Sequence, residues 1–174
     1  MHLPLDHLRA RRRIYHAALD RYAFRVATPD DVEGIISLWP EHWEEAHYKD
    51  RGIEPDEARY RASLTKKLTY GAGVWLLAID EADNSVVGFF EYSLDHNFSF
   101  RPVAVMGTFF VAKAHRRSAV PQILFELALS EATEDGACAF HAPIASETQS
   151  ARALENTFKK HGFTIIGTMM GRAL

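Results

Sequence analysis

One cysteine, Cys138, is the only thiol in 174 residues. A lone cysteine excludes an internal disulfide and fits a reducing compartment, so a cytoplasmic protein is expected. Cys138 lies in the apolar run Ala137-Cys-Ala-Phe140 and reads as a small buried hydrophobe rather than a nucleophile. Long apolar runs are also missing. Nothing approaches the ~20 apolar residues that a membrane-spanning helix needs, and the arginine-bearing N-terminus lacks the apolar segment of a secretory signal. Charge of one sign is scarce: 20 Lys and Arg against 23 Asp and Glu leave a formal net charge of −3. That balance makes no case for nucleic acid and supplies no global field to steer an anionic partner. There is no GxGxxG fingerprint, GxxxxGK(S/T) loop, GxSxG elbow or HExxH helix. Dinucleotide binding, P-loop chemistry, serine hydrolysis and zinc proteolysis therefore lose support. Repeats, low-complexity tracts and interdomain linkers are absent too. With 47% apolar residues, the chain has enough for one sizeable core.

What is present is centred on residues 103–136. The run Val103-Ala-Val-Met-Gly-Thr-Phe-Phe-Val111 reads as a buried strand, followed by the basic turn Lys113-Ala-His-Arg-Arg-Ser118. Val120, Ile123, Leu124, Leu127 and Ala128 then recur at helical spacing. Strand, basic turn and helix start together can hold a phosphate. The helix offers unpaired N–H groups and its positive dipole end, and Arg116 and Arg117 add full charges.

Before this stretch, Leu5, Leu8, Tyr15, Leu19 and Tyr22 form a sparse stripe, with Arg9, Arg11, Arg12 and Arg13 elsewhere on the helix. Residues 1–21 are thus expected to be a basic helical arm ahead of a domain spanning 22–174. The arm is either a solvated helix lying loosely on the domain or a docking arm for an acidic or protein surface. Tyr22 to Ala27 reads as a strand. Thr28-Pro-Asp-Asp31 is a helix start, with Thr28 as cap, Pro29 in the first turn and Asp31 where a capping box puts its acid. Val32, Ile35, Ile36 and Trp39 follow, and Pro40 kinks the chain. A second helical piece, Glu41 to His47, carries His42 and His47 five apart. They do not share a face as zinc ligands four apart would. Its titratable groups form a solvated face or a substrate-facing rim. A helix within Gly52–Gly71 ends in Lys66 and Lys67 before the closing glycine. Val74 to Ile79 and Val86 to Leu94 make a hairpin. Glu91, inside the second strand, either reaches an exposed face or lines a cleft with a raised pKa. A strand over Ala137 to Ile144, a helix over Thr148 to His161 and a strand over Phe163 to Met170 complete the chain. This order predicts an α/β fold: one mixed, twisted sheet with helices on both faces, and a right-handed crossover through residues 103–144.

Over about residues 22–174, this order with these residues resembles the GNAT superfamily of acyl-CoA-dependent N-acetyltransferases. Val111-Ala-Lys-Ala-His-Arg116 matches the family's V-x-P-x-x-R at Val111 and Arg116, with Lys113 where proline is usual. Arg116-Arg-Ser-Ala-Val-Pro121 falls on its R/Q-x-x-G-x-G/A loop, with Ala119 and Pro121 in the small glycine positions. Phe158-Lys-Lys-His-Gly-Phe163 looks like the closing helix-to-GF signature. In overall style the divergent GNAT-like proteins of tailed bacteriophages look closest. The resemblance implies acetyl-CoA as co-substrate, in a gap between the central strand and the strand at 137–144. Backbone near Phe109, Phe110 and Val111 would meet the pantetheine. Arg116, Arg117, Ser118, Ala119, Val120 and Gln122 would meet the diphosphate, with Phe158 beside the thioester. It further implies direct attack by an amine that loses its proton to a base, often through water, and an N–H that steadies the oxyanion.

The departures from the pattern count as well. Phe158 stands where the family keeps a tyrosine that protonates the thiolate, and a phenyl ring has no proton to give. Thr108 stands where many members keep a glutamate. Pro121 removes a donor, and Ala119 adds a Cβ at a close approach. Glu91 is the first candidate base and the helix around His42 to His47 the second. Two functions stay open at this point. One is N-acetylation of a small-molecule or peptide amine, with Glu44, Glu45 and Asp50 suiting a cationic acceptor. The other is a silent GNAT-like module that joins a protein assembly through residues 1–21, for instance in a phage particle. A homo-oligomer is compatible with either, and no metal, membrane or nucleic-acid partner is expected.

Overall fold

The computed structural model describes residues 20–46, 48–49, 52–97, 100–144 and 149–166. In chain order it runs β1 (Tyr22–Val26), a 3-10 turn (Pro29–Asp31), α1 (Val32–Ser37), α2 (Trp39–Glu45), α3 (Glu57–Tyr70), β2 (Val74–Asp80), β3 (Ser85–Asp95) and β4 (Val103–Val111). A 3-10 turn (Lys113–His115), α4 (Val120–Glu134), β5 (Ala139–His141) and α5 (Gln149–Lys160) follow. The five strands lie in sequence order. β1 to β4 pair antiparallel and β5 joins β4 in parallel, so the sheet is mixed.

The continuous apolar run of β2 follows from burial on both faces. Successive side chains alternate, which sends Leu76 and Ala78 to one core, with Ile123, Leu124 and Phe125 of α4. Trp75, Leu77 and Ile79 go to a second core, with Ile35, Ile36 and Leu64 of α1 and α3. Helices thus cover both faces, as the pattern predicts.

Local signals act where expected. The Asp31 carboxylate accepts from the Thr28 N–H (2.7 Å) and hydroxyl (3.0 Å) and binds both terminal nitrogens of Arg25. Leu38 separates α1 from α2, and Pro40 sits in the first turn of α2, where its missing N–H costs nothing. Asp56 caps α3 by accepting from the Arg59 N–H at 2.9 Å, and Gly71 ends it at φ +65°.

Tyr22 opens β1, as its strand reading expects, and residues 1–19 of the arm lie outside the described residues. Three expectations change. The strand expected over 137–144 shrinks to three residues, because β4 and β5 pair only through Val103–Val105 and Ala139–His141. Phe163 to Ile166 form no strand, and positions 167–170 lie outside the described residues. Cys138 is exposed, because it precedes the short edge strand β5 instead of lying within a longer covered one.

One irregularity positions the site. Phe90 faces Phe109 and Tyr92 faces Met106, so two residues of β4, Gly107 and Thr108, oppose the single Glu91. Such a bulge bends its strand. Here it falls one residue past Met106, where β4 has already lost β5.

Candidate active site

Beyond Val105, β4 has no partner strand on its second edge among the described residues. Ala112 donates to Val87 on the β3 side at 2.9 Å. By the alternation of an antiparallel ladder, Val111 and Phe109 therefore turn their polar groups to the open edge. Arg116 bears this out for Val111, whose carbonyl accepts from Nε at 2.6 Å.

This edge forms one wall of a cleft of about 630 Å³, running from Met106 to Val111. The facing wall is Pro143, Ile144, one stripe of α5 (Ala153, Leu154, Thr157 and Lys160) and His161 just past its end. Ser118, Pro121 and Gln122 line it from the start of α4, and His42, Glu45, Ala46 and Tyr48 from α2 and just beyond. Phe109, Phe110, Val111, Arg116, Ser118 and Gln122 thus all lie along this cleft.

The start of α4 offers few free backbone donors. Ser118 Oγ takes the Val120 N–H (3.1 Å), Ile123 donates to Ala119 (2.9 Å), and Pro121 has no N–H. Of the N–H groups at positions 120–123, only that of Gln122 is left for a ligand. Ala119 has φ −78° and ψ −4°, a conformation open to any residue, so its methyl group adds bulk but no backbone strain. Val120 is fully buried.

The arginines divide their work. Arg116 lines the cleft, but both its terminal nitrogens bind the Glu45 carboxylate, and Glu41 lies 3.6 Å away. Its guanidinium therefore ties α2 to the end of β4. Arg117 is exposed.

Phe158 takes a different place from the one expected. It is buried against Phe125 (5.0 Å between rings) and Phe163 (5.1 Å) and lines a second hollow behind β5, not this cleft. Helical spacing explains it: Thr157 and His161, one turn apart, face the cleft, and Phe158 is rotated about 100° from Thr157.

Glu91 also lies outside the cleft lining. Its carboxylate packs under the bulge, where a Cβ on Gly107 would come within 2.6 Å of Oε2, and Oε1 accepts from Lys67 Nζ at 2.5 Å. His42, from the second candidate segment, does line the cleft. Its ring stands edge-on to Phe110 (5.2 Å), Phe89 and Tyr48. Burial pushes its pKa below the ordinary histidine value, and Glu45 only partly opposes this. Its Nδ1 is shut from solvent with no hydrogen-bond partner. A buried nitrogen without a partner among the described residues is costly. His47 and Asp50 lie outside the described residues.

Tyr48, Lys160 and His161 were not singled out from the sequence as site residues. The α5 pair was legible, since positions 154, 157 and 161 continue one helical stripe. Nothing local marks Tyr48.

The acetyltransferase (GNAT) family model matches residues 32–163. No curated protein sequence matches the chain. Among solved structures, an aminoglycoside acetyltransferase from an uncultured soil metagenomic sample superposes with a TM-score of 0.66 at 19% identity, covering 88% of this chain and 98% of that one. An aminoglycoside N-acetyltransferase in complex with CoA gives 0.67 at 14% identity, covering 88% and 94%. An acetyltransferase of Trypanosoma brucei gives 0.65 at 15% identity, covering 88% and 99%. At such identities these likenesses speak to the fold alone.

Proposed function

From the premise that the chain belongs to the acetyltransferase (GNAT) family, we propose that it moves an acetyl group from acetyl-CoA to the nitrogen of an amine. One observation carries this reading: the polar edge of β4 opens beyond Val105, beside α5 and the start of α4. An extended pantetheine chain pairs with such an edge as a short strand would. Positive charge for the diphosphate comes from Arg117 and Lys160, with the Gln122 N–H. Arg116 holds the cleft wall by gripping Glu45.

When bound, acetyl-CoA supplies an activated thioester carbonyl. The neutral His42 imidazole takes a proton from the amine, directly or through water. The nitrogen lone pair then forms the N–C bond as the C–S bond breaks, and the nitrogen releases its second proton to solvent to leave the neutral amide. The electron pair of that bond leaves on sulfur. A thiolate needs no strong acid to depart, so solvent supplies its proton and the lack of a hydroxyl at Phe158 is tolerated. His42 takes precedence over Glu91 because it lines the cleft, whereas the Glu91 carboxylate is held by Lys67.

Calorimetric titration with CoA tests the reading. The wild-type chain should bind, and Arg117→Ala with Lys160→Ala should weaken binding about tenfold through lost charge-assisted contacts. A wild-type chain that does not bind CoA would remove the enzyme reading and favour a silent module docked through residues 1–21.

A further inference from the structure

The acceptor side of the cleft is aromatic, and its carboxylates are already engaged. His42 and Tyr48 line it beside Phe110. Outside the cleft lining, ring contacts continue from Tyr48 to Trp43 (4.6 Å, tilted), Trp43 to Trp39 (4.9 Å, tilted) and Trp39 to Tyr60 (4.0 Å, stacked), and they hold Tyr48 in place.

The acids that the sequence suggested for a cationic acceptor are committed elsewhere. Glu45 is bound by Arg116. Glu41 accepts from the Lys113 N–H at 2.7 Å and lies 3.6 Å from Arg116. Glu44 is exposed and does not line the cleft. The facing wall carries Lys160 and His161. A polycation entering here would lose water without gaining a spare carboxylate among the described residues, which is unfavourable. A single ammonium on a flat apolar body fits better: the rings offer stacking area and a cation–π face.

We infer that the acceptor is a monoamine borne on an aromatic body, an arylalkylamine, held against the Tyr48 and Phe110 rings with its nitrogen toward His42. This rests on the acetyltransferase reading and narrows it. The aminoglycosides in the names of two structural neighbours are polycations and do not suit this wall.

The test is acetyl-CoA turnover, followed as thiol release with a colorimetric disulfide reagent. The exposed Cys138 contributes one background equivalent. The probes are 2-phenylethylamine and tryptamine against spermidine and kanamycin. The aromatic amines should give kcat/KM at least about tenfold higher. Tyr48→Leu should raise KM for tryptamine about fivefold with kcat little changed, and Tyr48→Phe should restore it because the ring is kept. A thermal melt confirms that both variants fold. Equal or better turnover of the polycations overturns the inference, as does CoA binding without turnover of either aromatic amine. A chain that fails to bind CoA sinks the acetyltransferase reading instead, so the two failures are distinguishable.

Discussion

Replacing Pro121 with alanine should tighten CoA binding while making the protein less stable. Pro121 is the second residue of α4 and lines the cleft. It is the position in the first helical turn whose donor the sequence deletes, while its neighbours Val120 and Ile123 spend theirs on Ser118 and Ala119. Alanine restores an N–H that the helix itself cannot use, because its acceptor would lie before the helix begins. A hydrogen bond to a charged group contributes about 1.5–3 kcal/mol. Solvent at the cleft mouth argues for the lower end, a gain in affinity of roughly tenfold. The same change frees the unfolded chain and costs about 0.4–1 kcal/mol of stability, a Tm decrease of roughly 1–4 °C for a domain of this size. Calorimetry with CoA and with pantetheine, which lacks the diphosphate, separates the causes: CoA should gain and pantetheine should not. An unchanged Kd for CoA, or an equal gain for pantetheine, would refute the placement of the diphosphate at this helix.

His42→Gln should lower kcat by about 10²–10⁴-fold if the imidazole takes the amine proton, and abolish the acid limb of the pH–rate profile. A variant that keeps that limb would assign the proton to another group. The same side chain carries a stability signature. Its pKa is depressed in the folded state by burial, so below about pH 6.5 the unfolded chain binds a proton that the folded one refuses. Stability should therefore fall as pH drops from about 6.5 toward the folded pKa, and denaturant melts of His42→Gln should lack that component. Gly88→Ala should destabilise by about 1–3 kcal/mol in denaturant melts through overpacking. Its Cβ would stand 3.0 Å from both the Phe110 carbonyl and Val111 Cγ2, and 3.3 Å from Leu124. A melt like that of the wild type would show that β4 yields more easily than its packing implies.

The sequence by itself determined what depends on neighbours along the chain. The continuous apolar run over Val74 to Ile79 marked β2 as a buried strand, and the period-3.6 spacing marked the buried stripes of α1, α3 and α4. Thr28, Pro29 and Asp31 set the start of α1, and Gly71 the end of α3. The unbroken apolar runs of β2 and β4 announced a sheet covered on both faces. The strand, basic turn and helix from 103 to 136 gave the position of the cleft, because a helix N-terminus beside a strand end is a local geometry.

Only the tertiary structure decided which partner each charged or polar group would meet. Arg116 and Glu45 lie 71 residues apart in the chain, and nothing local says that they meet. Lys67 of α3 meets Glu91 of β3, 24 residues on, and turns a candidate base into half of an ion pair. The rotation of α5 about its axis puts Thr157 and His161 in the cleft and Phe158 in the core. The bulge at Gly107 and Thr108 exists only as a register shift against β3. Hydrophobic spacing fixes which face of an element is buried, but not what that face is buried against. Long-range pairing of charges and rings, on which the chemistry depends, is settled only when the elements pack.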